Sequence, residues 1–449
     1  MQGAHEWIEP TLVMWRYLPE LLAVPVPRYT SYPTAAEFGD AGEDDFLAEL
    51  DNATGDVSLY VHIPYCHEIC WYCGCNTGAA NRQKRLAAYL EALTAEIAHV
   101  GHLLPRSARV RHIAFGGGSP NAIAPHEFVR LVNTLTVAFS LADPTLSVEL
   151  DPRSLTEPWR EVLAHVGVTR ASLGVQTFDP AIQQAIGRVQ PIELIERAVD
   201  MLRDAGVTSL NFDLMYGLPG QDLDTLHSTL DQAARMGADR IALFGLAHLP
   251  AMFPRQRRID CSTLPGAFER FRMMEEGHDR LLDLGYQPVG FDHFALPGDP
   301  LARAALSGHL HRNFQGFTDD AAPVTIGLGA SAISNFPRGI FQNEKNAGAY
   351  RELIAAGRQP TARGVARDAN DQKRRAVITG ILCQGRAAVD EDMLRSASPR
   401  LADFFAEGLC TLIDGELVLA PDALPYARGI AACFDRHRAD SQRNFSNAV

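Results

Sequence analysis

The sequence predicts an α/β fold built on a partial (β/α)6 barrel of the TIM type, with an N-terminal arm and a mainly helical C-terminal domain. Three observations carry this. Short β-branched or apolar runs alternate with amphipathic stretches through the middle of the chain, chemically unusual residues fall at or just past the ends of those runs, and the alternation stops near residue 360. A chain of 449 residues exceeds one compact unit of ordinary size, so a large catalytic domain with appendages is the expected organisation.

The arm covers residues 1–55 and includes Pro27-Arg28-Tyr29-Thr30-Ser31-Tyr32-Pro33, too rich in turn formers for a helix and expected to pack across the barrel mouth. The barrel and its extension cover 56–359. Six strands are predicted at 57–63, 110–115, 146–150, 171–175, 210–215 and 241–244, with helical periodicity at 84–101, 125–139, 191–206 and 222–236. The cap, 360–449, reads as helices at 368–384 and 398–412, a strand at 416–419 and a last helix.

Each predicted strand delivers something at its C-terminal end. Cys66 follows the first, Gly116-Gly117-Gly118-Ser119-Pro120 the second, Glu149 ends the third, Gln176 follows the fourth, Asp213 lies near the end of the fifth, and Ala247-His248 follows the sixth. That is the catalytic rim of a barrel, and six units leave a wide mouth for a bulky substrate.

Composition narrows the class. With 46% hydrophobic and 21% charged residues, no repeat and no low-complexity tract, the chain is globular. A net charge of −13 excludes a general nucleic-acid binder, so an anionic substrate needs local basic residues. The first twenty residues lack the basic start and apolar core of a secretion signal, and no window of about 18 uninterrupted apolar residues offers a membrane span. A cytoplasmic protein is expected, and four of its eight cysteines crowd between Cys66 and Cys75, which there reads as metal binding rather than disulfides.

The segment Cys66-His67-Glu68-Ile69-Cys70-Trp71-Tyr72-Cys73 follows the first strand. Three thiolates on a four-iron cluster leave one iron open to a small molecule, and the amine and carboxylate of S-adenosylmethionine suit that position. A zinc loop, or a ferredoxin-type centre that also uses Cys75, are the competing readings; zinc sites usually pair two such elements, and no second element is present.

The CxxxCxxC pattern and the glycine run resemble the radical S-adenosylmethionine superfamily. Within it, Pro27 to Thr34, Tyr60-Val61-His62-Ile63-Pro64, Cys73-Gly74-Cys75, Gly174-Val175-Gln176, Tyr216-Gly217-Leu218-Pro219 and Arg312-Asn313-Phe314-Gln315-Gly316 resemble the oxygen-independent coproporphyrinogen III oxidases, from about residue 25 to 440. The resemblance implies a 4Fe-4S cluster on Cys66, Cys70 and Cys73 and two S-adenosylmethionine molecules. The first would meet Tyr60, Gly117, Glu149 and Ile333, and the second Tyr72, Gly118, Ser119, Gln176, Arg188, Asp213 and Ala247. It further implies a tetrapyrrole substrate, an electron donor such as a flavodoxin or ferredoxin, and a monomer. Cys66, Cys70, Cys73 and Glu149 would carry the chemistry, and Arg28 and Arg312 are candidates for the substrate carboxylates.

Plainer readings stand beside these. Glu149 and Asp213 are each as consistent with helix capping as with ligand binding, His62 reads as a core histidine, and Cys261, Cys383, Cys410 and Cys433 as buried thiols in helices or loops. Gly245-Leu246, Phe317 to Asp320 and Gln384-Gly385 depart from the family pattern on the substrate side. A heme-binding chaperone and a radical methyltransferase of the same superfamily are the alternative functions.

Overall fold

The computed structural model describes residues 14–80 and 83–438; the first 13 residues, on which much of the N-terminal reading rests, lie outside them. Burial with a period of two builds the barrel wall. In β1 (Gly55–Ile63), Val57, Leu59, Val61 and Ile63 are at most 1% exposed, and the residues between them, Ser58, Tyr60 and His62, take the opposite face. Alternation recurs in β2 (Ala108–Gly117), β3 (Leu141–Leu150), β4 (Arg170–Gln176) and the middle of β5 (Ser209–Tyr216), whereas β6 (Arg240–Gly245) buries Ile241, Ala242 and Leu243 in succession. Their apolar face packs under the helices Gln83–Leu103, Pro125–Ala138, Glu157–Val166, Ile192–Asp204 and Leu223–Arg235 in one continuous core.

All six predicted strands are present, in the order β1-β2-β3-β4-β5-β6 and all parallel. The sheet extends further than the sequence suggested. After β6 come β7 (Gln287–Val289) and β8 (His293–Ala295), which pair antiparallel beyond β6. On the other side β9 (Val324–Leu328) runs parallel to β1, and β10 (Ile333–Phe336), β11 (Gly339–Asn343) and β12 (Thr361–Ala366) follow antiparallel, giving twelve strands in an open sheet.

The cap corrects one expectation. The helix expected over 398–412 spans Glu391–Ala406, with Pro399 inside it and Asp390 accepting the Met393 N–H at its start. Cys410–Ile413 is a strand, turned by Asp414 (φ 50°) and Gly415 (φ 82°) onto Glu416–Leu419. Two consecutive left-handed residues suit a tight hairpin, and the Asp-Gly pair that supplies them was overlooked in favour of helical periodicity. Of the four scattered thiols, Cys383, Cys410 and Cys433 are buried as expected, although Cys410 sits in a strand; Cys261 is exposed.

The arm divides its packing: Phe46, Leu50 and Ala53 join the core under the sheet, and its earlier part packs against the cap. Trp15, Tyr29 and Tyr32 share a core with Val377, Ile381, Leu401, Tyr426 and Phe434, and the Tyr29 hydroxyl donates to Asp435 at 3.0 Å. At the mouth it touches the end of β6, where an Arg28 Nη donates to the Gly245 carbonyl at 3.4 Å.

Glu96, buried on the helix Gln83–Leu103, ties the sheet extension to the barrel by accepting from the Gly329 N–H (2.6 Å), Asn343 (2.7 Å) and the Tyr350 hydroxyl (2.6 Å). Burial lifts its carboxyl from 4.5 to about 7, against the pull of those three donors. A carboxyl raised on folding contributes stability that is complete below its unfolded pKa and is lost as pH rises through the folded value. Urea unfolding of Glu96→Gln is therefore expected to show a flatter loss of stability between about pH 5 and pH 8 than the unaltered chain.

Candidate active site

The rim is built where β1 and β2 end, and three consecutive glycines make that junction possible. A Cβ on Gly116 would lie 2.5 Å from Glu149 Oε1; on Gly117, which has φ +110°, 2.0 Å from the His62 ring; on Gly118, 2.5 Å from the Tyr65 carbonyl oxygen. The run is thus required by close approach rather than by a turn alone. With no side chains intervening, the Gly118 N–H donates to Ile63 (2.9 Å) and the Ser119 N–H to Tyr65 (2.8 Å), which clamps the start of the cysteine loop to β2.

Within that loop, Tyr65–Cys66 pairs in parallel with Gly78–Ala79, and Thr77 donates to Cys66 Sγ at 3.2 Å. Burial pushes the Cys66 thiol up to about 11, partly opposed by Thr77. Cys70, 5% exposed, is met by Arg188 Nη1 at 3.1 Å and Arg153 Nη2 at 3.5 Å. The Cys73 thiol is held below its ordinary value, first by hydrogen bonding from the Cys75 side chain and then, against burial, by the Cys75 N–H and the charges of Arg255 and Arg188. Cys75 itself is exposed.

These thiols fit a cluster better than a single ion. Among the described residues no three His, Cys, Asp or Glu groups converge as one bound ion requires. A multi-iron centre asks for something different, one sulfur per liganded iron, and the guanidinium groups of Arg153 and Arg188 lie against the Cys70 sulfur.

The remaining candidates occupy the polar inner face of the barrel and its rim. Glu149 Oε2 accepts the Gly117 N–H at 3.2 Å. Burial raises its carboxyl to about 7, opposed by the Gly117 N–H and by the Gln315 side chain, so the motif 312–316 reaches the same spot. Tyr60 pairs with Gly327 across β1 and β9, and the Ile333 backbone lies so close to Gly327 that a Cβ there would be 2.6 Å from the Ile333 carbonyl; this brings Ile333 beside Tyr60. Burial also raises the Tyr60 and Tyr72 hydroxyls. Asp213 is raised by burial, although it accepts from Ser172 (3.1 Å) and Asn211 (2.8 Å). Gln176 ends β4 in the left-handed region at φ 69°, a conformation that a non-glycine residue holds only under constraint from its surroundings.

Several side chains are committed to protein partners. Ser119 bonds Asn121 and the Asp151 N–H. Arg188 donates to the Gly174 carbonyl, to Asp151 at 3.4 Å and to Cys70. Ala247 contributes its carbonyl, which accepts from Gln256 at 3.0 Å. Arg312 donates to the main-chain carbonyls of Arg28 and Tyr29 and lies 4.3 Å over Phe317, which ties down the arm, while its Nη1 is buried without a hydrogen-bond partner. Of the departures from the family pattern, Asp319 forms a bidentate pair with Arg170 (2.6 and 2.7 Å), and Asp320 accepts from Ser58.

Sequence reasoning missed Asp151, Arg153 and Gln256. Although burial opposes it, Arg188 and Arg153 hold the Asp151 carboxyl below its usual range. Gln256, 1% exposed, bonds the carbonyls of Tyr72 (2.8 Å) and Ala247 together with the Leu249 N–H, joining the cysteine loop to the strand that ends at Gly245. No local motif marks these roles, because the partners that give them, Arg188 for Asp151, Cys70 for Arg153 and Tyr72 for Gln256, lie far away in sequence.

Comparison with known proteins agrees with this geometry. The profile of the Radical SAM superfamily matches residues 60–233, which places the barrel and its cysteine loop in that class of proteins. The oxygen-independent coproporphyrinogen III oxidase of Bradyrhizobium diazoefficiens is 42% identical over 94% of this chain and 97% of its own. That of Pseudomonas aeruginosa is 35% identical over 94% and 96%. The solved structure of coproporphyrinogen III oxidase from Escherichia coli, described as a radical SAM enzyme, superposes with a TM-score of 0.88 at 34% identity, covering 91% of this chain and 97% of that one. The chain belongs to the oxygen-independent coproporphyrinogen III oxidase family.

Gly117→Ala meets both a positive φ and a 2.0 Å contact, whereas Gly237→Ala meets only the φ of +74° with no atom within 4 Å. Denaturant midpoints are expected to place the first about 2 kcal/mol or more below the unaltered protein and the second about 1 kcal/mol below.

Proposed function

We propose that the protein converts two propionate side chains of coproporphyrinogen III to vinyl groups, yielding protoporphyrinogen IX in heme biosynthesis without oxygen. Each conversion removes carbon dioxide, one hydrogen atom from the β-carbon, which a 5'-deoxyadenosyl radical would take, and one electron, which would pass to an external one-electron acceptor. The observation that carries this is the loop of three thiols at the end of β1, facing a polar barrel interior that contains Glu149 and Asp213. Relatives that are named for this oxidation along nearly the whole chain support it over a heme chaperone or a methyltransferase.

Cys66, Cys70 and Cys73 would hold a 4Fe-4S cluster with one iron left for S-adenosylmethionine; when bound, the pair supplies a 5'-deoxyadenosyl radical capable of abstracting hydrogen from carbon. The chain's own residues bind and orient. We assign Tyr60 on β1, Gly117 on β2, Glu149 on β3 and Ile333 on β10, the last set apart from β1 by β9, to a first S-adenosylmethionine, supported by the bond of Glu149 to the Gly117 N–H and the approach of Ile333 to Gly327 opposite Tyr60. Tyr72, Gly118, Ser119, Gln176, Arg188, Asp213 and Ala247 are assigned to a second. In that set the bonds of Arg188 to Cys70 and Asp151 favour a positioning role, holding the loop and its charge, over direct grip on a ligand. Near neutral pH the Glu149 carboxyl exchanges a proton readily, and with Oε2 on the Gly117 N–H it can present Oε1 to an ammonium or hydroxyl group.

The same reading includes a three-part division into an arm (1–55), a barrel with its extension (56–359) and a cap (360–449). It also includes action as a cytoplasmic monomer that draws electrons from a flavodoxin- or ferredoxin-like donor. Clustered reactive thiols suit a reducing compartment, and among the described residues no helix is long and apolar enough to cross a membrane.

Anaerobic incubation of the reconstituted protein with reductant, S-adenosylmethionine and coproporphyrinogen III is expected to yield protoporphyrinogen IX, methionine and 5'-deoxyadenosine together. Cys66→Ser, Cys70→Ser and Cys73→Ser should each abolish all three products, and Cys75→Ser should leave the iron content unchanged. Loss of iron in Cys75→Ser would mean a fully protein-saturated cluster and end the proposal.

A further inference from the structure

Beyond β6 the short helical turn Pro254–Arg258 carries Arg255, Arg257 and Arg258 in a chain whose net charge is −13. This turn lies on the cysteine loop. A Cβ on Gly74 would come 3.1 Å from the Phe253 ring, Gln256 donates to the Tyr72 carbonyl at 2.8 Å, and the Arg258 guanidinium stands 5.9 Å over Trp71. Trp71 in turn donates its N–H to the Ile186 carbonyl (3.1 Å) and packs so close to Gly187 that a Cβ there would lie 2.6 Å from its ring. The turn, the loop and the segment 186–189 therefore form one continuous surface over the three thiols.

That surface shows solvent a particular mixture of groups. Arg257 and Arg258 are exposed, and among the described residues neither forms an ion pair. The acidic residues nearest to them on these segments are engaged: Glu68 pairs with Arg153 at 2.7 Å, and Asp260 accepts from the Ser262 N–H (2.9 Å) and hydroxyl (2.7 Å). Met252, next to Phe253, and Val189, next to Arg188, are 53% and 54% exposed, so large apolar side chains stand in water on the same segments. Apolar groups bordered by one sign of charge suit a protein partner of the opposite sign. The remainder of an acidic chain repels an acidic partner, so a local basic patch decides where such a partner lands.

Resting on the proposed function, we infer that Arg257 and Arg258, with Trp71, Val189 and Met252, form the docking surface for an acidic protein that carries a one-electron redox centre. Electron transfer weakens steeply with distance, and here the partner would rest directly on the loop that bears Cys70 and Cys73. One electron leaves the reduced centre of the partner and enters the oxidised cluster; no bond forms or breaks. A modest, charge-guided contact of this kind forms and releases quickly, as repeated single-electron delivery requires.

The test uses the reconstituted holoprotein with its cluster oxidised and, as the probe, flavodoxin, an acidic flavin protein. Calorimetric titration with oxidised flavodoxin is expected to give a Kd raised about tenfold in the Arg257→Gln/Arg258→Gln double variant and about threefold in Arg257→Gln alone. Raising salt from about 0.05 M to about 0.5 M should narrow the difference between the unaltered protein and the double variant. On anaerobic mixing with flavodoxin hydroquinone, bleaching of the cluster absorption should slow about tenfold in the double variant, while bleaching by reduced methyl viologen, a small cation, stays within about twofold. Arg257→Lys/Arg258→Lys keeps both charges and should bind within about threefold of the unaltered protein. Arg106→Gln/Arg235→Gln makes the same change in net charge at exposed positions by the opposite ends of the strands, and should bind normally. Should the double variant lose its cluster, Arg257→Gln, with its exposed side chain, carries the test. Three results would overturn the surface: a Kd and bleaching rate within about twofold in the double variant, an equal loss in Arg106→Gln/Arg235→Gln, or a donor-free dimer in sedimentation that the double variant abolishes, which would assign the patch to a second copy of the chain. The two proposals fail separately. Arginine-dependent docking and bleaching without consumption of coproporphyrinogen III would sink the function and keep the surface, and turnover driven by reduced methyl viologen with docking indifferent to the arginines would do the reverse.

Discussion

The contact on which the rest depends is the seam between β1 and β2, where Gly116, Gly117 and Gly118 pass too close to Glu149, His62 and Tyr65 for any side chain to fit. Parallel pairing extends to Ile63 and Gly117 because nothing holds the strands apart, and the main-chain bonds from Gly118 and Ser119 then fix where the cysteine loop begins. His62, at about 4 because burial disfavours its charge, packs as a neutral ring against Gly117 and bonds the Ala330 carbonyl. Its core role is therefore part of the site's construction, although it carries no chemistry.

Charge is distributed against the grain of the composition. An acidic chain keeps arginines in two places, beside Cys70 and around the cavity at the end of β6. At the first, Arg153 and Arg188 share Asp151 between them, so the pair is partly balanced and serves to hold the loop. At the second, Arg28, Arg270 and Arg428 line one cavity together with Asp292.

The barrel was legible because its signals are local. β-branched runs, helical periodicity and the CxxxCxxC spacing each lie within one element, and the six parallel strands appear where the pattern put them. The sheet extension was not, since β9 to β12 are short and gain their stability by adding to an existing edge rather than from their own pattern. The same limit explains Arg312. Its motif suggested a carboxylate contact, but the arm, far away in sequence, brings it the carbonyls of Arg28 and Tyr29, and Phe317, paired with it across the short hairpin 311–318, lies beneath its guanidinium.

What the sequence alone determined was the chemistry available at the rim, because ligand identity and spacing in the cysteine loop, and the glycines that admit it, are properties of consecutive residues. Only the tertiary structure decided which cations share a site. Arg28, Arg270 and Arg428 come from the arm, a barrel helix and the cap, and their shared cavity exists only once those three segments close on the end of β6. Electrostatic energy depends on distance through space and on burial, and neither can be read along the chain until the fold has brought the charges together.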